Sequence, residues 1–116
     1  MTYDREKAIL LAENLLGFVQ FVDLNYHNNR TYASDPDKLY RLKNLVDEYN
    51  FQTLAKEILR INRFSWVENE TEVLVNRVRK GIDSVDEYIK NNLEGLFLFS
   101  PRVYTIKCLN DSFTTI

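Results

Sequence analysis

The sequence predicts a mainly all-α fold: a single-domain bundle of four to five helices with a short C-terminal extended segment or β-hairpin. Three observations carry that expectation. Apolar residues recur at three- and four-residue spacing from Ala8 almost to Phe97. Only three glycines and two prolines punctuate 116 residues, which favours long regular elements over a many-turned β-protein. After Pro101 the spacing changes to alternation. The length suits one domain, with the bundle expected over 1–101 and the tail over 102–116 packed on it. A chain of this size buries roughly 65% of its unfolded surface, enough for a core without staples.

The first helix is expected from about Asp4 to Asn25, capped by Thr2. Ala8, Leu11, Ala12, Leu15, Phe18, Val19 and Val22 form one face, and Ile9, Leu10, Leu16, Phe21 and Leu24 widen it. So apolar a helix belongs at the centre of its bundle. Its excess apolar surface, together with the tail, also makes a homodimer a candidate arrangement. Asp35 and Pro36 mark the start of the second helix as cap and first residue. There Leu39, Leu42, Leu45, Val46 and Tyr49 face inward until Asn50 interrupts the pattern.

Phe51, Leu54, Ala55, Ile58 and Asn62 mark the inner face of a third helix ending near Arg63. A connector bearing Phe64 and Trp66 follows. Ser65 or Asn69, each with a glutamate three residues on, offers a capping box for a fourth helix. Its buried residues are Thr71, Leu74, Val75, Val78 and Ile82, with Gly81 suited to its end. Ser84 and Glu87 offer the same start signal to a fifth helix, built on Val85, Tyr88, Ile89, Leu93, Leu96 and Phe97. In the tail, Tyr104, Ile106 and Cys108 alternate with Val103, Thr105 and Lys107, Asn110-Asp111 can turn the chain, and residues 113–116 can return as a strand.

Composition excludes more functions than it suggests. A net charge of −2 produces no strong global field. One cysteine, Cys108, leaves no internal disulfide and fits a reducing compartment, so the expected location is cytoplasmic. The N-terminal MTYDREK lacks a secretory pattern, and no apolar run reads as approaching the roughly 20 residues that span a bilayer. No glycine loop, dinucleotide fingerprint or EF-hand loop calls for a cofactor. Asp23 and His27 stand four apart, but two ligands fall short of a metal site. His27 and Cys108 share no spacing that links nucleophile to base, so no enzyme is expected.

Two recognition readings remain. Gln52, Lys56, Arg60 and Arg63 fall on one polar stripe of the third helix, with Arg77 and Lys80 following in the fourth. Glutamine and arginine read base edges and cations bind phosphate, so this stripe is the alternative, a nucleic-acid-binding regulator. The first expectation is a non-catalytic module that binds another protein, as small cytosolic inhibitors, immunity proteins, anti-defence factors and adaptors do. Its candidate contacts are Tyr26, His27, Arg30 and Tyr32 in the stretch NYHNNRTYASDP, then Trp66, Tyr104 and Phe113. Aromatic residues and arginine dominate such surfaces because they bury large areas and keep a polar handle.

Overall fold

In a computed structural model, residues 4–28, 36–64, 66–93 and 103–115 are described. Of these, 96% are helical and none lies in a strand. The helices are α1 (Arg5–Asn28), α2 (Pro36–Tyr49), α3 (Phe51–Phe64), α4 (Glu68–Tyr88) and α5 (Val103–Thr115), with a π-helical turn over Ile89–Leu93 continuing α4. The mainly all-α bundle is therefore as the spacing predicts.

Helix α1 is central. Ala8, Leu11, Ala12, Leu15, Phe18, Val19, Phe21 and Val22 are buried, chiefly against α3 and then against α2 and α5. Asp4 caps it, its carboxylate accepting the Glu6 and Lys7 N–H groups at 3.0 and 3.3 Å; Thr2 lies outside the described residues. The helix also continues past Asn25 to Asn28, so Tyr26 and His27 are helical. By length and composition alone α1 is apolar enough to cross a membrane, which the sequence reading missed. Within the bundle, 44% of its most apolar window is buried.

Asn50 joins α2 to α3 in one residue. It adopts a left-handed backbone (φ 51°), its N–H donates to Asp47 O at 2.9 Å, and its C=O accepts the Leu54 N–H at 3.1 Å. Asparagine tolerates this conformation better than most side chains. It ends one helix and opens the next.

Three expectations need correction. The fourth helix starts at Val67, in extended backbone with no side-chain cap; Asn69 already lies inside the helix, and Ser65 lies outside the described residues. Neither Gly81 nor Ser84 breaks α4. Gly81 is buried where the Phe51 and Tyr49 rings press on the helix, and the Ser84 hydroxyl donates to Lys80 O (3.1 Å) and meets Tyr49 Oη at 2.9 Å. The fourth and fifth expected helices are thus one through Tyr88, where the Tyr88 hydroxyl donates to Lys38 O of α2; Leu96 and Phe97 lie outside the described residues.

The third correction is the tail. Residues 103–115 form a helix, not a strand or hairpin. Val, Thr and Ile favour strands, but such a preference yields to packing. Ile106 and Leu109, three apart, are both buried in the core, and α5 lies on α1 and α4. A helix puts those two residues on one face, whereas a strand would put them on opposite ones.

Among the described residues Asn62 and Thr71 are the buried polar side chains, and the Thr71 hydroxyl donates to Val67 O at 3.0 Å. Asn62 is fully buried; its amide N–H donates to Ile58 O at 2.8 Å, while Oδ1 has no hydrogen-bond partner. An unsatisfied buried acceptor costs about 1–3 kcal/mol. Leucine has the same branching without that cost, so Asn62→Leu should raise the unfolding free energy by about 1 kcal/mol after some overpacking. Urea denaturation reads this directly. A lower midpoint would mean that the oxygen contributes more than its burial costs.

Candidate functional site

Two ends of the elongated bundle, 44 × 23 × 20 Å in extent, hold the candidate residues. At the C-terminal end of α1, Tyr26 is half-buried and His27 exposed. Their rings meet edge to face at 5.3 Å, Tyr26 lies 5.8 Å from Tyr40 of α2, and the Lys43 ammonium stands 5.8 Å over the Tyr26 ring. Arg30 and Tyr32 lie outside the described residues, so the expected four-residue contact cannot be assembled here. Continuing helix turns Tyr26 from a loop residue into packing between α1 and α2.

Below Tyr26, Lys43 bridges two helices. Its ammonium lies 3.1 Å from Asp23 Oδ1 on α1 and 3.2 Å from Asp47 Oδ2 on α2. These groups border a cleft of about 410 Å³ that Asn50 and Gln52 also line. Hydrogen bonding to Asp23, chiefly, holds the lysine above its usual 10.5 against the opposing effect of burial, with Asp47 adding to the rise. A cation whose pKa is raised on folding stabilises the fold below its unfolded value and loses that contribution as pH rises through the folded one. Lys43→Met should therefore cost about 1 kcal/mol at neutral pH. The gap to the unchanged protein should narrow above pH 10.5. Chemical denaturation at pH 7 and pH 11 tests both halves.

The other end is the corner between α3 and α4. The backbone leaves α3 at Phe64 and enters α4 after Val67, which places four apolar side chains at or near one turn. Phe64 is 85% exposed, Val73 60%, Trp66 38% and Val67 36%. Beside them runs a groove of about 510 Å³, with Ile61, Val73 and Leu74 as its apolar lining and Glu57, Arg60, Asn69 and Glu70 as its polar lining. Phe64 follows Ile61 by three residues and Arg60 by four, so it extends that side of α3 beyond the groove. The corner sits far from Tyr26: Arg63 reaches Glu13 at 3.6 Å, and Glu13 precedes Tyr26 by about 20 Å of helix.

Of the expected secondary contacts, Trp66 belongs to this corner. Tyr104 and Phe113 are on α5, with side chains outside the described part. The expected list omitted Val67 and Val73 and left Phe64 as a connector residue. Val73 carried a signal, since it stands two residues from both Thr71 and Val75 and so falls off their buried face.

The nucleic-acid stripe forms as spaced, with Gln52, Lys56, Arg60 and Arg63 all exposed on α3 and Arg77 and Lys80 exposed on α4. Two of its arginines face carboxylates of the chain. Arg60 Nη2 lies 2.9 Å from Glu57, whose hydrogen bond and charge, with Glu70 behind, hold the guanidinium above its usual range; Arg63 leans to Glu13. Among the described residues no group of three or more His, Cys, Asp or Glu side chains is placed to hold a metal. Cys108 is an exposed free thiol on α5. Comparison of the chain with protein-family models, with curated proteins and with solved structures gives no match.

Proposed function

We propose that this chain is a non-catalytic protein-binding module whose contact surface is the α3–α4 corner, in the manner of a small cytoplasmic inhibitor, immunity protein, anti-defence factor or adaptor. The observation that carries this reading is Phe64, 85% exposed on a chain that buries Phe18, Phe21 and Phe51 almost completely. A single exposed apolar residue is ordinary, but a cluster around a groove is the usual mark of an interaction site. The corner also departs from good local chemistry, because α4 opens on an uncapped valine. Breaks of that kind concentrate where function sets the sequence.

This reading relocates the contact surface from Tyr26–Tyr32 to Trp66 and its neighbours. Nucleic-acid binding is the weaker alternative because its two leading arginines already face carboxylates. Affinity capture from the native cell with the unchanged chain and with Phe64→Asn tests the proposal. Asparagine keeps the net charge and removes the ring, which should lower affinity for the true partner by about 2 kcal/mol. Identical partners recovered with both proteins would refute it.

A further inference from the structure

We infer that the α3–α4 groove seats an amphipathic helix of a partner protein, one with an apolar seam flanked by lysine or arginine. The inference rests on the corner being a protein contact and adds the chemistry of what fills it.

The shape selects a helix. Glu57, Arg60 and Ile61 form the α3 side of the groove, and with Phe64 one turn further on that side spans about 10 Å of helix. That matches two turns of a guest whose apolar residues recur at i, i+3 or i+4, and i+7. Ile61 is buried and Leu74 half-buried in the groove, Val73 lines it as an exposed side chain, and Phe64 continues the α3 side one turn beyond it. Fixed apolar lining beside exposed apolar side chains suits a side chain inserting between two helices.

The charge selects basic flanks. Glu57 and Glu70 line the groove, and Glu68 joins Glu70 in the first turn of α4. Within the groove lining itself, Glu57 and Glu70 stand against one cation, Arg60, so the lining carries one carboxylate in excess. Arg63 is drawn 3.6 Å from Glu13 on α1. The partial positive charge at the α4 N-terminus, equivalent to roughly half an elementary charge, offsets only part of the excess. A second copy of this chain fits less well, because it would bring the same acidic rim against itself and find both nearby arginines engaged. The excess carboxylate also disfavours a phosphate backbone in the groove.

Two 14-residue helical peptides with capped ends serve as probes, one of leucine and lysine and one of leucine and glutamate, with leucines at i, i+3, i+4 and i+7. Titration followed by amide chemical shifts should show the leucine–lysine peptide binding with perturbations centred on residues 57–74. Val73→Asn, which keeps the charge, and Glu57→Gln with Glu70→Gln should each weaken it about tenfold. Thermal melting checks that each variant remains folded.

Equal binding of both peptides, indifference to Val73→Asn, shifts of residues 57–74 on titration with a DNA duplex alone, or a dimer mass in sedimentation that Val73→Asn abolishes would each overturn the inference. Should native partners depend on Phe64 while the leucine–lysine peptide does not bind, the helix and its charge fall and the contact surface stands. Should Phe64→Asn retain every native partner, the surface itself falls.

Discussion

Gly81→Ala should lower the unfolding free energy by about 1 kcal/mol, although in an open helix the same change gains about 1 kcal/mol. The reversal comes from what faces the glycine. A Cβ there would lie 2.7 Å from Phe51 Cζ and 2.9 Å from Tyr49 Cγ, inside any tolerable contact. Phe51 cannot withdraw easily, because it is only 1% exposed and follows directly on Asn50, whose left-handed backbone fixes the α2–α3 joint. Tyr49 is held as well, stacked on Phe51 at 5.9 Å and bonded through its hydroxyl to Ser84. Overpacking of this kind costs about 1–3 kcal/mol and must first cancel the propensity gain. Urea denaturation of Gly81→Ala, Phe51→Leu and the double variant closes the cycle. A smaller ring-free residue at 51 should recover part of the loss, giving a coupling of about 1 kcal/mol. Additive effects would mean that the helix, not the ring contact, responds to the new methyl.

Gly81 also illustrates what one-dimensional spacing conceals. Read along the chain, a glycine followed by a serine and a glutamate looks like a helix stop and a new start. Seen in three dimensions, Gly81 admits Phe51 and Ser84 supports Tyr49, both from a joint some 30 residues earlier. The inner faces of α1 and α3 were legible because each buries one continuous stripe, down to the polar Asn62. The tail misled for the opposite reason. Its alternation of Val, Tyr, Thr and Ile is compatible with either period, and only burial of Ile106 and Leu109 against other helices chooses between them. The contact surface was half legible. Trp66 stood out by type, but Val67 and Val73 look like ordinary helix-forming apolar residues until the buried face of α4 is known.

Lys43 and Arg60 show why the charged residues divide as they do. Lys43 ties α1 to α2 through Asp23 and Asp47, next to a half-buried tyrosine, and its role is complete within the chain. Arg60 is held by Glu57 on its own helix and leaves the groove with excess carboxylate. The first is a joint between helices; the second belongs to a surface whose charge is not balanced by its neighbours.

Val67→Ser should separate folding from function in one substitution. Val67 occupies the N-cap of α4 with φ −125° and ψ 101°, the extended backbone a capping side chain needs, yet it supplies no acceptor. A serine hydroxyl there can take the backbone N–H of Asn69 or Glu70, and Glu70 stands three residues on to complete a capping box. Replacing an apolar cap by serine is expected to gain about 1 kcal/mol of stability. The same change removes an apolar side chain from the exposed corner beside Phe64 and Trp66, so partner affinity should fall about tenfold at the edge of a hot spot. The two readouts move in opposite directions, which a variant that merely disturbs the fold cannot produce. A higher denaturation midpoint with unchanged capture of the native partner would place the contact elsewhere on the bundle. A higher midpoint with lost capture would explain why α4 begins on valine: the residue that best starts the helix is not the one that best meets the partner.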